Sequence, residues 1–185
     1  MHELWIVRHG PTEWSQAGRH TSTTDLPLLP EGEERARDLA PRLADVDFAR
    51  VLTSPRTRAR RTAELAGFPD AEECEDLAEW AYGEYEGITT PQIRETVPGW
   101  TVWTHPVPGG ETPAQVGERL DRVVALAEEA PGPVLAFAHG HSLRVLGARW
   151  LGLAATEGRL LRLDTATVSV LGHERETRVV LRWNS

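Results

Sequence analysis

Short runs with apolar centres alternate with amphipathic stretches along this chain of 185 residues. Three of these runs, at residues 4–7, Arg50–Thr53 and Val134–Ala138, each end abruptly in a polar turn. Runs of this length are typical of strands buried on both faces of a parallel sheet. Because parallel strands need crossover connections, which are usually helices, the pattern predicts an α/β fold.

Helical spacing occupies the segments between these runs. Apolar residues recur at i, i+3, i+4 and i+7 over residues 31–43, and Ser54-Pro55 offers an N-cap followed by a proline suited to the first helical turn. We also predict a short helix over residues 90–97 and a long one from the capping box at Thr112 to Pro131. The apolar positions in residues 143–150 indicate a further helix.

The remaining segments are predicted to be strands or loops. Four short segments are interpreted as strands, the last two forming a hairpin: residues 71–76, 160–163, 168–171 and 179–183. The polar residues 16–29 are predicted to form a loop at the rim of a binding site. Residues 99–110 are rich in Trp, Pro and Gly, and we predict that they form a lid over that site.

Composition favours one globular domain over residues 1–185. Hydrophobic residues make up 40% and charged residues 26% of the chain, as in ordinary soluble proteins. The apolar runs are far shorter than the roughly 20 residues of a transmembrane helix, so no membrane association is expected. A single cysteine, Cys74, rules out an internal disulfide and fits a reducing compartment, and we therefore expect a cytoplasmic protein.

The charged residues limit which ligands and cofactors the protein can bind. The net charge of −8 argues against a nucleic-acid partner, which would normally select a basic surface. All 20 basic residues are arginine, so a P-loop lysine, a Schiff base and attachment of pyridoxal phosphate are excluded. An anionic ligand would have to be bound by Arg, His or backbone N–H groups.

The three buried strands should bring such groups to one edge of the sheet. Arg8 and His9 end the first strand, Arg58 lies just after the second, and His139 follows the third. Because ligands bind beyond the carboxyl ends of parallel strands, these residues are expected to converge into a pocket for a dianionic phosphoryl group. A zinc site that includes His9, His139 and His141 is the alternative, but two arginines beside the same point would repel a cation.

The segment over residues 77–87 is a second candidate for chemistry. It combines three aromatic residues with the carboxyl groups of Glu79, Glu84 and Glu86. An acid held among aromatic rings has its charged form disfavoured and can act as a general acid. A structural loop with solvated carboxylates is the alternative.

Together these features resemble the histidine phosphatase superfamily, the phosphoglycerate-mutase-like proteins. The matching motifs are Arg8-His9-Gly10, Ser54-Pro55-x-x-Arg58-Ala59, the Glu79 loop that ends in Glu86-Gly87, and Ala138-His139-Gly140. The resemblance implies a three-layer α/β/α sandwich around a mainly parallel sheet. It also implies the roles of the residues. His9 would attack phosphorus and form a phosphohistidine, while Arg8, Arg58 and His139 hold the phosphoryl oxygens. Glu79 would protonate the leaving oxygen and then deprotonate water, and no metal or other cofactor would be required.

The branch of the family follows from smaller differences. Mutase members carry Asn in place of Ser15 and Gly in place of Ser22, and they have an insertion after the acid's loop for which this chain has little room. The loops resemble broad-specificity acid phosphatases and sedoheptulose-bisphosphatase-like members. We therefore predict a metal-independent phosphatase for small phosphate monoesters such as sugar phosphates, with Ser15, Thr21 and Ser22 as candidate substrate-binding residues. A cofactor-dependent phosphoglycerate mutase and a non-enzymatic phospholigand-binding module are the alternatives.

Overall fold

Six strands form one sheet in the computed structural model, which describes residues 2–185. The strands are β1 (Leu4–Arg8), β2 (Arg50–Thr53), β3 (Glu72–Glu73), β4 (Val134–Ala138), β5 (Val168–Glu174) and β6 (Thr177–Arg182). Their order across the sheet is β3-β2-β4-β1-β5-β6. The first four strands in this order are mutually parallel, and β5 and β6 are antiparallel to their neighbours. The prediction of a mainly parallel sheet is confirmed.

Helices cover both faces of this sheet. They are α1 (Glu13–Ala17), α2 (Pro30–Arg37), α3 (Ala40–Leu43), α4 (Thr57–Leu65), α5 (Thr90–Thr96), α6 (Pro113–Glu129) and α7 (Gly140–Trp150), with 3-10 helices at Glu75–Leu77, Gly83–Tyr85 and Ala155–Leu160. The predicted capping box at Thr112 is present, with its hydroxyl accepting the backbone N–H of Gln115. A second capping box, at Thr89, begins α5.

The alternation of side chains along the central strands produces the three layers. In β4, Val134, Ala136 and Ala138 pack into the core that α6 and α7 cover. Leu135 and Phe137 point the other way, into the core that α3 and α4 cover. Since every residue of β4 is buried, the strand is apolar without interruption rather than alternating. The three-layer α/β/α architecture is confirmed.

The helix predicted over residues 31–43 is broken into α2 and α3. Proline has no N–H, and its ring clashes with the carbonyl four residues earlier in a continuous helix. Pro41 would therefore clash with the carbonyl of Arg37, which is the last residue of α2. Of the four apolar positions in the pattern, Ala36, Leu39 and Leu43 are buried and Ala40 is partly buried, so the pattern marks the buried face of both helices.

Ser54 is not the N-cap of α4, contrary to the prediction. The helix begins at Thr57, and Arg56 occupies the N-cap position without a side-chain hydrogen bond. The hydroxyl of Ser54 instead lies 2.6 Å from Nε2 of His139. The residue thus belongs to the strand end and contributes to the site described below.

Two of the predicted strands are wrong in extent or type. The strand expected over residues 71–76 is limited to Glu72–Glu73. Residues 160–163 form no strand: Leu160 ends a 3-10 helix, and the carbonyls of Arg162 and Leu163 accept hydrogen bonds from the side chains of Trp183 and Arg8. The hairpin is confirmed, with β5 and β6 paired on either side of a tight turn.

The segment over residues 99–110 is part of the core rather than a lid. Trp100 is 1% exposed and Trp103 is 7% exposed, and both pack with the residues under α6 and α7. The indole N–H of Trp100 donates to the carbonyl of Pro106 within the same segment. If the segment opened as a lid, both indole rings would be exposed to water, and the loss of their buried apolar surface would make opening unfavourable.

Candidate active site

The carboxyl ends of β1, β2 and β4 lie side by side, and backbone hydrogen bonds hold their final residues together. The N–H of His9 donates to the carbonyl of Ala138 at 3.0 Å, and that of Ser54 donates to Phe137 at 2.9 Å. The imidazole rings of His9 and His139 consequently lie with their centres 5.2 Å apart. The predicted convergence of the strand ends is therefore present.

His9 is held as a neutral imidazole with one nitrogen available. Its side chain is buried, and Nδ1 lies 2.7 Å from the carbonyl oxygen of Gly10. Because a carbonyl can only accept, Nδ1 carries the proton and Nε2 keeps its lone pair. Burial lowers the pKa of His9 well below its usual value, and the charges of Arg58 and Arg8 lower it further. A neutral ring with a free lone pair on Nε2 is the form of histidine that can act as a nucleophile.

Arg8 presents an unpaired donor beside this ring. One guanidinium nitrogen donates to the carbonyl of Leu163 at 2.6 Å, while the buried Nε has no partner among residues 2–185. The absence of a side chain at Gly140 makes room for the guanidinium, since a Cβ there would lie 3.2 Å from Cζ of Arg8. A buried donor of this kind is suited to an anion that completes its hydrogen bonding.

Arg58 and His139 are adjacent to His9 but do not line the pocket surface. Nε of Arg58 donates to Nδ1 of His139 at 3.2 Å, so the proton of this neutral imidazole lies on Nε2 and is donated to Ser54. The terminal nitrogens of Arg58 donate to carbonyls of the preceding loop, at Thr21, Ser22 and Thr24. Their expected phosphate contacts are therefore not preformed, and binding would require the guanidinium to exchange carbonyl partners for phosphoryl oxygens.

Glu79 lines the pocket and accepts three backbone hydrogen bonds. One oxygen accepts from Trp80 and Ser142 at 2.8 Å, and the other accepts from His141 at 3.0 Å. The side chain thus caps the N-terminus of α7 from another part of the chain. The sequence predicted an aromatic setting for this acid, and in the structure backbone N–H donors surround its carboxyl group as well.

The other two acids of this segment are placed differently. Glu84 is exposed, and Glu86 accepts hydrogen bonds from the backbone of Ser22 and Thr24 and from the hydroxyl of Ser22. Burial acts to raise the pKa of Glu86, but these hydrogen bonds outweigh it and lower the pKa. Ser22 is 3% exposed and does not line the pocket, so its side chain anchors the loop instead of facing a substrate.

The pocket in front of His9 has a volume of about 230 Å³. The candidate residues that line it are Arg8, His9, Ser15, Thr21 and Glu79. The other lining residues were not predicted as phosphatase site residues, and five of them carry aromatic or basic side chains: Arg19, His20, Tyr82, His141 and Arg144. The sequence could have indicated His141 and Arg144, because residues 140, 141 and 144 fall on one face of the helix that follows His139.

An aromatic wall borders Glu79 in this pocket. The hydroxyl of Tyr82 lies 2.5 Å from Nδ1 of His141, and the ring of His20 stacks on His141 with centres 6.1 Å apart. Burial lowers the pKa of His141 well below its usual value, and Arg144 adds to the effect. Burial raises the pKa of Tyr82 well above its usual value. Tyr82 therefore donates to a neutral His141, whose Nε2 carries the ring proton.

The imidazoles do not assemble a zinc site. Both ring nitrogens of His139 are engaged, and Nδ1 of His141 bonds to Tyr82. Within residues 2–185 no three His, Cys, Asp or Glu side chains are grouped so that they could hold a metal ion. Over the same residues, no helix has both the length and the apolar character needed to cross a membrane.

Known proteins match both the sequence and the fold. The chain is 45% identical over 182 residues to an acid phosphatase of Mycobacterium tuberculosis, covering 96% of this chain and 89% of that protein. It is 38% identical over 181 residues to sedoheptulose 1,7-bisphosphatase of Saccharomyces cerevisiae, covering 80% and 67%. A solved structure of a Mycobacterium tuberculosis open reading frame product superposes with a TM-score of 0.94 at 42% identity, covering 99% of this chain and 97% of that one. Residues 4–185 match the model of the histidine phosphatase superfamily (branch 1), and the chain belongs to this family.

Proposed function

We propose that this protein is a phosphatase that hydrolyses small phosphate monoesters, of the sugar phosphate type, through a phosphohistidine at His9. The observation that carries the proposal is a neutral, buried His9 whose Nδ1 proton is fixed on Gly10, beside the unpaired Nε of Arg8. The names of the two relatives, an acid phosphatase and a sugar bisphosphatase, point to the same chemistry.

In the first step, Nε2 of His9 attacks phosphorus. The N–P bond forms as the bond from phosphorus to the ester oxygen breaks, and Glu79 gives its proton to that leaving oxygen. Arg8 binds a phosphoryl oxygen with its free donor, and Arg58 joins it after giving up a loop carbonyl. These cations offset the charge that develops on the phosphoryl group, and effects of this kind are each worth about 3 kcal/mol in other enzymes.

In the second step, water replaces the imidazole. Glu79 removes a proton from the attacking water, the new O–P bond forms, and the N–P bond breaks to regenerate neutral His9. Glu79 then holds the proton that the next leaving group requires. The first step requires that Glu79 carries the proton that it gives to the leaving oxygen.

Glu79 is assigned as the acid because it is the only one of the three acids in its segment that lines the pocket. Glu79→Gln should slow turnover most for esters with poor leaving groups, such as alkyl phosphates, and least for p-nitrophenyl phosphate. Glu84→Gln, at an exposed position on the same segment, is the matched control. A larger loss in Glu84→Gln than in Glu79→Gln would overturn the assignment.

A panel of phosphate esters tests the activity itself. Purified protein is incubated with p-nitrophenyl phosphate, sugar phosphates, sugar bisphosphates and phosphoglycerates, and both phosphate release and isomerisation are followed. Release of phosphate without isomerisation is the expected result. Isomerisation of phosphoglycerates that depends on priming by a bisphosphate would show the mutase alternative instead. Binding of esters without either reaction would show the phospholigand-binding module.

We further propose that the reaction needs no metal and takes place in the cytoplasm. The first point is supported by the arginines, which already supply the positive charge that a metal ion would otherwise bring to the phosphoryl group. The second is supported by the free thiol of Cys74, which suits a reducing compartment.

A further inference from the structure

The arginines that line the pocket differ from most others in the chain. Elsewhere arginine usually pairs with a carboxylate, as in Arg119 with Glu111 and Arg149 with Asp121. The lining arginines are Arg8, Arg19 and Arg144. Within residues 2–185 none of the three has a carboxylate oxygen within 4 Å. Of these three, the mechanism proposed above uses only Arg8, which Arg58 assists from behind the pocket wall. The pocket therefore contains more positive charge than one phosphoryl group requires.

Arg144 is held rigidly in place. It lies on α7, one turn beyond Gly140, and its guanidinium carbon is 4.6 Å from the centre of the Trp103 ring. Its Nε donates to the backbone carbonyl of Gly158 at 3.1 Å, and one terminal nitrogen donates to the backbone carbonyl of Arg159 at 3.2 Å. The other terminal nitrogen donates to no residue that the structure describes. A stacked and anchored guanidinium loses little freedom on binding an anion, which favours affinity.

The position of Arg144 identifies which part of a substrate it meets. Glu79 accepts the N–H groups of His141 and Ser142 at the start of α7, and Gly140 of that helix lies against the Arg8 guanidinium. Arg144 is one turn further along α7 and lines the same pocket as Glu79 and Arg8. It shares the pocket wall with His141 and Tyr82, which border Glu79. Since Glu79 protonates the leaving oxygen, this wall faces the leaving group.

We propose that Arg144 binds a second anionic group, a phosphate or a carboxylate, carried by the leaving group of the substrate. The preferred substrates are then esters with two anionic groups rather than simple monoesters. Arg19 lies at the pocket wall over Trp14 and adds positive charge for the same group. This inference rests on the proposed phosphatase activity and specifies its substrate class.

Arg144 could instead serve only to tie α7 to the 3-10 helix at Ala155–Leu160, through the carbonyls of Gly158 and Arg159. The two roles have different kinetic consequences. Loss of a purely structural tie would weaken turnover of all esters to the same degree. Loss of an anion-binding group would affect esters with a second anionic group selectively, and mainly through KM.

Two pairs of esters that differ in the second anionic group provide the test. Glycerol 3-phosphate is compared with 3-phosphoglycerate, in which a carboxylate replaces the terminal hydroxymethyl group. Fructose 6-phosphate is compared with fructose 1,6-bisphosphate, and phosphate release is measured for each. For the unmodified protein, kcat/KM should be at least about 10-fold higher for the second member of one or both pairs, as expected for one charge-assisted contact. The pair that shows the preference identifies carboxylate or phosphate as the second group.

Arg144→Gln should reduce this preference about 10-fold, through a rise in KM for the doubly anionic ester, and Arg144→Lys should retain part of it. Arg149→Gln, on the same helix but paired with Asp121 outside the pocket, should keep the preference. An unchanged preference in Arg144→Gln, or equal turnover of both members in the unmodified protein, would overturn the inference. Both of these results would leave hydrolysis of p-nitrophenyl phosphate by the unmodified protein intact. If the unmodified protein released no phosphate from p-nitrophenyl phosphate, the proposed phosphatase activity itself would be wrong.

Discussion

Arg119 and Glu111 form an ion pair that supports the Glu79 loop from outside the pocket. Two nitrogens of Arg119 bind the two carboxylate oxygens of Glu111 at 2.8 and 3.0 Å. The remaining terminal nitrogen of Arg119 donates to the carbonyls of Asp76 and Ala78, at 2.7 and 2.8 Å. The Glu111 carboxylate also accepts the N–H of Ala81. The pair thus holds the backbone on both sides of the proposed acid.

Replacing Arg119 with methionine keeps much of the side-chain volume and removes every one of these donors. Arg119 is 11% and Glu111 23% exposed, so the variant leaves a mostly buried carboxylate and two carbonyls without their partner. Full burial of an unpaired charge costs about 3–5 kcal/mol, and partial access of water to Glu111 reduces that figure. We expect Arg119→Met to lower the free energy of unfolding by about 2–4 kcal/mol.

The assay combines urea unfolding with kinetics. Alongside the loss of stability, kcat for an alkyl phosphate should fall more than kcat for p-nitrophenyl phosphate, because a displaced Glu79 protonates the leaving oxygen less effectively. Arg149→Met removes a similar two-point ion pair whose members are 32% and 43% exposed, so it should cost less than about 1 kcal/mol and leave the ratio of the two kcat values unchanged. Equal stability losses in the two variants, or equal kcat losses for both esters in Arg119→Met, would refute this reasoning.

Four further predictions concern other features of the protein. Burial lowers the pKa of His9, His139 and His141 well below the unfolded value of about 6.5, so the unfolded chain binds protons that the native chain does not. In urea titrations without phosphate, the free energy of unfolding should therefore decrease as the pH is lowered from about 6.5, by about 1.4 kcal/mol per pH unit for each histidine. A free energy of unfolding that does not change with pH would contradict the lowered pKa values. Turnover should nevertheless persist at mildly acidic pH, since His9 stays neutral there, and a loss of kcat/KM between pH 7 and 6 would oppose this. Glu86→Gln weakens the anchor of the pocket loop and should raise KM about 10-fold with a smaller effect on kcat, compared with exposed Glu84→Gln as control. Incubation with EDTA should leave turnover unchanged, and restoration of a lost activity by added zinc would exclude the metal-independent mechanism.

The strand ends were predictable because burial and chemistry coincide there. A strand that is apolar on both faces has to lie in the centre of the sheet, and its carboxyl end then adjoins those of its parallel neighbours. For that reason His9 and His139 could be placed together from sequence, as the 5.2 Å separation of their rings confirms. Neither the apolar pattern nor the spacing carries comparable information about the loops.

The errors arose where a polar group found a partner that is distant in sequence. By local rules Ser54 was a good N-cap, but its hydroxyl instead accepts the Nε2 proton of His139, which is 85 residues away. Ser22 was a plausible substrate contact, but Glu86 binds it. The phosphate-binding role of Arg58 stays a prediction, but local sequence did not reveal the loop carbonyls that its terminal nitrogens bind. Local propensity does not include such tertiary hydrogen bonds, and they decide which polar side chains face the pocket.

Trapping of a phosphoenzyme tests the central claim most directly. The protein is mixed for milliseconds with a ³²P-labelled phosphate ester and quenched in alkali, which preserves phosphohistidine and hydrolyses acyl phosphates. In the unmodified protein, the label is expected at His9. In Glu79→Gln the label should persist longer, because activation of water is impaired. In His9→Ala, both label and turnover should be lost. Turnover by a folded His9→Ala variant, or label on another residue, would contradict the account.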